Sequence, residues 1–291
     1  MKTLVIINPV SGKQQRTLEE WRAPVRINFP QAEIVFTQRA GHATELAAQA
    51  VQQGVEKILV AGGDGTINET ARALVHTPVA LGIIPKGSGN GLAREIGIPL
   101  RFEEALAALQ KAQPVACDVG VANGSYFFNV AGIGIEAEIA RRFAEYGKTG
   151  QRGMWPYFKL GAQALFQYKP TILTVEYQNQ HIVYAPLTLV FANGTQYGSG
   201  FYIAPQASLT DGKLEMVEVK NAPKWKLACH LFDFFQKNPL SSDFTNTQQV
   251  EQAIVTSEQE MVYHLDGEPQ TPTHRLVIGL QPKALHLLMV K

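Results

Sequence analysis

The chain up to Ala112 alternates between compact apolar runs and amphipathic segments. The apolar runs are typical of strands buried on both faces, and the segments between them repeat apolar residues at a helical spacing. The predicted strands are TLVIIN, AEIVFT, KILVAGG and VALGIIP, and the predicted helices are QQRTLEEWRAPV, HATELAAQAVQQG, TINETARALVH and EEALAALQKA. Strand and helix in alternation predict a parallel sheet covered by helices.

From about Val119 the pattern changes to short segments of period-two alternation, separated by Asn, Gly and Pro. The strand-like segments are SYFFNVAG, TILTVEYQ, HIVYAPLTLVFAN, KLEMVEVK, EMVYHLDG, HRLVIGL and ALHLLMVK, and the helical exceptions are GIEAEIARRFAEYG and KWKLACHLFDFFQK. Many short strands with turn signals predict an antiparallel sandwich or barrel.

The change of pattern predicts a domain boundary, so the fold class is α/β followed by β. We expect an α/β domain at residues 1–120 with a parallel sheet, and a β-sandwich domain at residues 121–291. The last strand can return to the first domain. A cleft between two domains is a favoured place for small-molecule chemistry, and we expect the active site there.

Composition narrows the class of protein. The 26 basic and 25 acidic residues nearly cancel, which argues against a nucleic-acid partner. Cys117 and Cys229 are far apart, which argues against a disulfide framework or a CxxC metal site. The sequence has neither a signal-peptide pattern nor an apolar run long enough to span a membrane. We therefore expect a cytoplasmic protein without a transmembrane segment.

The stretch ILVAGGDGTINET raises the first question of chemistry. Gly62, Gly63 and Gly65 would let the backbone approach a ligand and adopt positive φ, and a helix beginning near Thr66 would offer free N–H groups to an anion. A carboxylate beside a phosphate requires a cation or a proton transfer, so Asp64 suggests magnesium-bound phosphate or a hydroxyl to be deprotonated. The alternative is an ordinary turn, because Asp-Gly is a common turn pair.

Two further loops favour the functional interpretation. NPVSGK follows the first strand, PKGSGNGLAR follows the fourth, and each precedes a helix. Loops that follow parallel strands lie at the same edge of the sheet, where α/β proteins bind ligands. The three loops together predict a nucleotide site. The sequence GxxxxGK[ST], a GxGxxG after the first strand, and the HRD and DFG segments of protein kinases are all absent.

On these motifs the chain resembles the lipid-kinase superfamily of bacterial diacylglycerol kinases, sphingosine kinases and ceramide kinases. The resemblance covers most of the chain in the order NPVSGK, GGDGTINE, PKGSGNGLAR, YFFNVAGIGIEAEIA, FANGTQYGSGFYIAPQASLTDGKLEMV and LDGE. GGDGT alone is shared with NAD kinases and phosphofructokinases. The resemblance implies an α/β nucleotide domain followed by a β-sandwich with the lipid site, and an ATP-dependent lipid kinase that uses Mg²⁺.

The resemblance also implies roles for particular residues. Glu268 would be the general base for the lipid hydroxyl, and Asp64 would help to place magnesium-bound phosphates. A structural Mg²⁺ would be held by Asp211 with oxygens of Ser208 and Lys213. The alternatives are a solvated hairpin residue for Glu268 and a plain turn at Asp211. The residues implied to contact ATP are Asn8, Pro9, Val10, Ser11, Gly12, Lys13, Thr37, Gly62, Gly63, Asp64, Gly65, Thr66, Ile67, Asn68, Glu69, Ser88, Gly89 and Asn90.

One departure from the family bears on the substrate. Bacterial diacylglycerol kinases commonly have Asn-Asp in the third motif, whereas this chain has Asn90-Gly91, as in the sphingosine and ceramide kinase branch. In sphingosine kinases an acidic residue after the GF/GI segment recognises the substrate's polar head. Glu136, in GIGIEAE, stands near the corresponding place. The alternative is that Glu136 and Glu138 lie on the exposed face of a helix.

A lipid kinase would work at a membrane surface, so we expect peripheral attachment at the inner membrane. The sequence leaves open whether the protein forms a homodimer. KWKLACHLFDFF places apolar residues on one helical face, which suits either an interfacial helix or a helix covering the sandwich core. The apolar residues of KWKLACHLFDFF are Trp225, Ala228, Leu231, Phe232 and Phe235. A second segment, RRFAEYGKTGQRGMWPYFK, is basic and aromatic and could touch anionic headgroups.

Two other functions fit part of the pattern. An NAD kinase-like enzyme acting on a soluble metabolite would share GGDGT but not NPVSGK or the IAP segment, and would need no detergent or vesicles. A nucleotide-binding regulatory protein would bind ATP and magnesium without transferring phosphate, and Gly91 in place of Asp gives this alternative some weight.

Overall fold

The structure is a computed structural model that describes residues 2–12, 16–147, 163–164, 167–223 and 243–290. The chain divides into two compact units. The first comprises Met1–Val119 with Pro282–Lys291, and the second comprises Gly120–Gln281. No helix within the described ranges is long and apolar enough to cross a membrane.

The first unit is built on a parallel sheet in the order β2-β1-β3-β4. Its strands are β1 Thr3–Ile7, β2 Glu33–Phe36, β3 Lys57–Gly62 and β4 Ala80–Pro85. Its helices are α1 Leu18–Asn28, α2 His42–Gln52, α3 Asp64–Leu74, α4 Gly91–Glu95 and α5 Phe102–Lys111. Strands β1, β3 and β4 are almost wholly buried, as their continuous apolar runs predict.

The longer helices of the first unit each bury one stripe of side chains, and α1 begins at a capping box. Thr17 caps α1 in a capping box, since its hydroxyl accepts the N–H of Glu20 and the Glu20 carboxylate accepts the N–H of Thr17. Trp21 of α1 packs edge-on against Phe102 of α5, with ring centroids 4.9 Å apart. The capping box fixes the start of α1, and the ring contact packs α1 against α5.

The second unit contains two layers of mostly antiparallel strands. One layer is a six-stranded sheet in the order β14-β13-β10-β7-β16-β17, and the other is formed by β15, β8 and β9 with parts of β5, β6 and β18. The bounds are β5 Gln113–Ala122, β6 Ser125–Phe127, β7 Val130–Gly134, α6 Ile135–Gly147, β8 Leu173–Tyr177, β9 Gln180–Tyr184, β10 Thr188–Ala192, β11 Gln196–Gly198, β12 Phe201–Tyr202, β13 Leu214–Val219, β14 Thr245–Val250, β15 Gln252–Met261, β16 Tyr263–Leu265, β17 Glu268–Pro269 and β18 Thr273–Met289.

One apolar core joins the two layers of the second unit. It includes Phe191 and Leu265 from the six-stranded sheet and Val175, Val255 and Ile278 from the other layer. Alternate residues of both layers therefore face each other, as in a β-sandwich. An α/β domain followed by a β-sandwich is the fold class predicted from the sequence, and that prediction is confirmed.

Several segments differ from the sequence prediction. HIVYAPLTLVFAN forms two strands, β9 and β10, which belong to different sheets. HRLVIGL and ALHLLMVK, predicted as separate strands, are parts of the single strand β18. Its first part pairs with β15 and its last part runs parallel to β4. The chain bends at Lys283, whose φ is 51° and whose N–H donates to Asp118 Oδ1 at 2.8 Å, and this contact lets the strand continue through the bend.

Candidate active site

Three loops converge at the carboxyl edge of the first unit's sheet, because β1, β3 and β4 are parallel neighbours. The loop after β1 reaches the start of α3, where Asn8 Nδ2 donates to Thr66 Oγ1 at 2.9 Å. The loop after β4 is bound to the end of β3, where the N–H of Lys86 donates to the carbonyl of Gly62 at 2.8 Å. The convergence predicted from NPVSGK, GGDGT and PKGSGNGLAR is present in the structure.

Asp64 fastens the second loop, which follows β3, to the third loop, which follows β4. Its Oδ2 accepts the backbone N–H of Asn90 at 3.0 Å, and its Oδ1 accepts the backbone N–H of Gly91 at 2.9 Å. Each is a charge-assisted bond, and the second satisfies an N–H at the start of α4. Both carboxylate oxygens thus hold backbone, so Asp64 shapes the loop cluster. Its assignment to magnesium-bound phosphate stays a prediction.

The glycines of GGDGT do not adopt the predicted conformation. Gly62, Gly63 and Gly65 all lack positive φ, and α3 begins at Asp64, so that Gly65 lies inside its first turn. The prediction of positive φ was wrong for these three residues. At Gly62, close packing is what requires a glycine. A Cβ on Gly62 would lie 2.6 Å from the Cβ of Thr66.

Two glycines of the neighbouring loops are also fixed by close contacts. A Cβ on Gly89 would lie 2.9 Å from Asp64 Oδ2. Gly12 does adopt positive φ, at 80°, and a Cβ there would lie 2.4 Å from the carbonyl oxygen of Lys86. Glycine is therefore needed at these positions so that the loops can interlock.

Lys86 is a functional candidate that the sequence reasoning did not single out. Its ammonium donates to the carbonyl of Asn8 at 2.6 Å and lies 3.6 Å from the ring centroid of Trp21. Arg16 lies over the same ring, at 4.8 Å. Burial, and then the charge of Arg16, lowers the pKa of Lys86 to about 8. A lysine inside a glycine-rich loop was the available signal.

The other predicted ATP-contacting residues differ in what their side chains can reach. Val10 and Ser88 are exposed, and Ser11 Oγ donates to the carbonyl of Asn8 at 3.2 Å. Glu69 accepts the N–H of Gly41 at 2.9 Å, which ties α3 to the start of α2. The side chains of Thr37, Ile67 and Asn68 are buried, Pro9 lies in the first loop, and Lys13 lies outside the described residues.

In the second unit, Glu268 follows a tight two-residue turn between β16 and β17. Asp266 and Gly267 form the turn with φ of 49° and 83°, the pattern of a type I′ hairpin. The Asp266 carboxylate accepts three backbone N–H groups, at 2.8, 2.8 and 3.0 Å, from Phe128, Asn129 and Val130. Burial nevertheless raises the pKa of Asp266 to about 6. Glu268 therefore follows an anchored turn, and the sequence reasoning missed this role of its neighbour Asp266.

Glu136 is turned into the second unit. Its carboxylate accepts a hydrogen bond from the Thr188 hydroxyl, its Oε1 lies 4.0 Å from His264 Nε2, and burial raises its pKa to about 8. Glu138 accepts from Arg141 at 2.8 Å and from Arg142 at 2.6 Å, with its side chain only 13% exposed. The exposed-face alternative is therefore wrong for both residues, because the two glutamate side chains are only 19% and 13% exposed.

A cavity of about 200 Å³ lies in the same unit, beside α6. Its lining mixes apolar side chains with charged ones. Among the lining residues are Ile133, Met261, Glu138, Arg142, Lys169 and Glu260.

The predicted metal residues lie in one exposed turn. Asp211 Oδ1 accepts the N–H of Lys213 at 3.1 Å, and Ser208 Oγ accepts the N–H of Thr210 at 3.3 Å. The turn offers a single carboxylate, and the described part of the chain holds no group of three or more His, Cys, Asp or Glu side chains suited to a metal. Any cation here would depend on backbone oxygens and water, and the assignment stays a prediction.

Several predicted features fall outside the described residues. They include Cys229, the proposed interfacial face formed by Trp225, Ala228, Leu231, Phe232 and Phe235, and most of the basic aromatic segment RRFAEYGKTGQRGMWPYFK.

The fold and the interlocked loops place the chain in a recognisable class. Residues 2–122 match the family described as "Diacylglycerol kinase catalytic domain", and residues 129–289 match "YegS C-terminal NAD kinase beta sandwich-like domain". A crystal structure of a diacylglycerol kinase from Bacillus anthracis str. Sterne has the same fold, with a TM-score of 0.75 and 22% identity over 99% of this chain and 96% of that one.

Full-length relatives agree with the family matches. The protein named "Probable lipid kinase YegS-like" of Enterobacter sp. (strain 638) is 30% identical over 98% of this chain and 95% of its own. The "Diacylglycerol kinase" of Bacillus subtilis (strain 168) is 31% identical over 91% of this chain and 88% of its own. The chain therefore belongs to the diacylglycerol kinase and YegS-like lipid kinase family, as its motifs predict.

Proposed function

We propose that this protein is an ATP-dependent lipid kinase, which transfers the γ-phosphoryl group to a hydroxyl of a membrane lipid. The observation that carries the proposal is the loop cluster in which Asp64 binds the backbone of Asn90 and Gly91. Such a rigid set of backbone groups at the carboxyl edge of a parallel sheet suits a polyphosphate, and the chain belongs to a lipid kinase family.

The first unit would bind the nucleotide. Its glycine-rich loops let a phosphate come close to the backbone, and the start of α3 adds a positive dipole end. Lys86 supplies a positive charge beside the first loop, and Arg16, paired with Glu103 at 2.8 Å, lies over the same Trp21 ring. A bound Mg²⁺ would neutralise phosphate charge, held mainly by phosphate oxygens and water. Positioning and charge neutralisation are most of what phosphoryl transfer demands of a protein.

Glu268 is the proposed general base. It would accept the proton of the lipid hydroxyl as that oxygen attacks the γ-phosphorus and the bond to the departing diphosphate breaks. Its side chain is half-buried and follows the turn anchored by Asp266. A base held by a rigid turn loses little conformational entropy when it reaches the reactive geometry.

The acceptor is diacylglycerol or a lipid of the sphingoid or ceramide type. Gly91 stands where the bacterial diacylglycerol enzymes commonly have a carboxylate, which favours the second type. Glu136 would contact the polar head of the acceptor. Its carboxyl is mostly protonated at neutral pH, since burial raises its pKa to about 8, and a neutral acid can both donate to and accept from hydroxyl groups. The protein would act at the inner membrane surface without spanning it.

The test is a panel of acceptors with γ-labelled ATP and magnesium. Mixed micelles would present diacylglycerol, monoacylglycerol, a sphingoid base or ceramide, and NAD would serve as the soluble acceptor. Label in one lipid establishes the kinase and identifies its branch. Label in NAD alone would replace the proposal with an NAD kinase-like function. Nucleotide binding without transfer to any acceptor would favour a regulatory protein.

A further inference from the structure

We propose that His264 is a positioning residue, which orients the catalytic base Glu268 through the backbone of Gly267. The inference rests on the proposed function, because it concerns the base of that reaction. It arises from a buried imidazole whose ring nitrogens face two different functional elements.

The first contact is a hydrogen bond within the turn that precedes Glu268. The N–H of Gly267 donates to His264 Nδ1 at 3.0 Å, and the His264 side chain is 2% exposed. Asp266 anchors the turn from the other side through the amides of the β6–β7 connection. Asp266 thus fixes where the turn lies, and His264 fixes the plane of the peptide between Asp266 and Gly267. The direction of Glu268 follows from that plane.

The Gly267 contact determines the protonation state of the ring. Nδ1 can accept a hydrogen bond only without a proton, so the neutral imidazole must carry its proton on Nε2. Burial lowers the pKa of His264 to about 4, which keeps the ring neutral at physiological pH. A charged ring would have two N–H groups and would repel the N–H of Gly267.

The second contact faces the proposed acceptor residue. His264 Nε2 lies 4.0 Å from Glu136 Oε1. Tyr197 contributes a ring whose centroid lies 6.1 Å from that of His264. The backbone of Gly132 forms the floor, where a Cβ would lie 2.7 Å from His264 Nε2 and 2.3 Å from Glu136 Oε1. Because glycine has no Cβ, this position leaves room for both polar groups beside the backbone.

The test uses two substitutions, each of which replaces only one of the two ring nitrogens of the imidazole by an amide group. In H264N the amide oxygen can take the place of Nδ1, whereas in H264Q the amide takes the place of Nε2. We expect H264N to retain kcat within about 3-fold, because it keeps the acceptor for Gly267. We expect H264Q to lose about 10-fold or more in kcat with little change in the KM for ATP, because Glu268 is misdirected. H181N, at an exposed histidine of β9, is the control for the same chemical change.

The pH profile separates positioning from simple packing. H264Q should shift the acidic limb of kcat/KM, which reports the base, while H264N should leave that limb in place. Equal kcat and equal profiles in the two variants would overturn the positioning role. Absence of transfer by the wild-type protein would overturn the proposed function, whereas transfer by the wild type with two indistinguishable variants would overturn this inference alone.

A measurement on the wild-type protein does not depend on how the variants fold. Nuclear magnetic resonance can detect coupling between the Gly267 amide nitrogen and His264 Nδ1 across their hydrogen bond. We expect this coupling together with a ring protonated at Nε2. A ring protonated at Nδ1 would contradict the inference.

Discussion

Asp64 and Asn90 are joined by a hydrogen bond of 3.0 Å from the backbone N–H of Asn90 to the Asp64 carboxylate, although they are 26 residues apart. The second oxygen of the same carboxylate binds the next amide along the chain, that of Gly91. The aspartate of GGDGT therefore acts first on protein backbone. A nucleotide would meet a loop cluster that is already fixed.

Replacing Asp64 tests this clamp through stability. D64N keeps one acceptor oxygen but turns an NH₂ group toward a backbone N–H, so one bond is lost and two donors face each other. We expect the free energy of unfolding to fall by about 1–3 kcal/mol, measured by urea denaturation. E33Q removes the same charge from an exposed position and should change stability little. Equal stability of D64N and the wild type would show that the clamp is unimportant.

Gly12 tests the interlocking of the first and third loops. G12A imposes a left-handed backbone on alanine and also drives its Cβ to 2.4 Å from the Lys86 carbonyl oxygen. We expect the Kd for an ATP analogue, measured by calorimetry, to rise about 10-fold, because the loops must move apart. G54A is the matched control, since Gly54 also has positive φ, at 68°, but has open space around its Cβ position. It should lose about 1–2 kcal/mol of stability and keep its affinity. Similar affinity losses in the two variants would point to backbone strain alone.

The lowered pKa of Lys86 predicts that nucleotide binding weakens at high pH. Its ammonium loses a proton as pH rises through about 8, and the first loop then loses a charge-assisted bond and a cation–π contact. We expect ATP affinity to fall by about 5-fold between about pH 7 and pH 9.5 in the wild type, and K86M to be weaker at pH 7 but nearly independent of pH. K111M, at an exposed lysine of α5, should behave as the wild type. A pH dependence in K86M equal to that of the wild type would exclude Lys86 as its source.

The lowered pKa of Lys86 also determines the direction in which the free energy of unfolding changes with pH. The unfolded chain holds this proton up to the ordinary lysine pKa of about 10.5, whereas in the native state the pKa is about 8. The native state is thus penalised fully below about pH 8, and the contribution of Lys86 to the free energy of unfolding rises between 8 and 10.5. Urea denaturation across this range should show the rise in the wild type, and it should be absent in K86M.

The fold was predictable because its signals are local. Continuous apolar runs identified β1, β3 and β4, and helical spacing identified the helices between them. The joining of two apolar segments into β18 was not predictable, because it depends on the contact between Lys283 and Asp118, 165 residues apart. A bend of that kind resembles a turn in the sequence.

The candidate site was predictable in its loops but not in its contacts. Glycine-rich segments after three parallel strands indicated convergence, which follows from topology. The sequence could not indicate that Gly62 is set by its distance from Thr66 instead of by positive φ, since both demands select the same residue. It also could not indicate that Glu136 turns inward toward Thr188, because a glutamate early in an amphipathic helix is commonly exposed.

The role of Glu268 as general base is best tested by comparing phosphoryl transfer from γ-labelled ATP to the preferred lipid by the wild type, E268Q and E251Q. Glu251 is an exposed carboxylate of the second unit, so E251Q controls for loss of charge. We predict a fall in kcat of about 10² to 10⁴ for E268Q, with nucleotide affinity unchanged, and normal turnover for E251Q. Transfer by E268Q at the wild-type rate would exclude Glu268 as the general base.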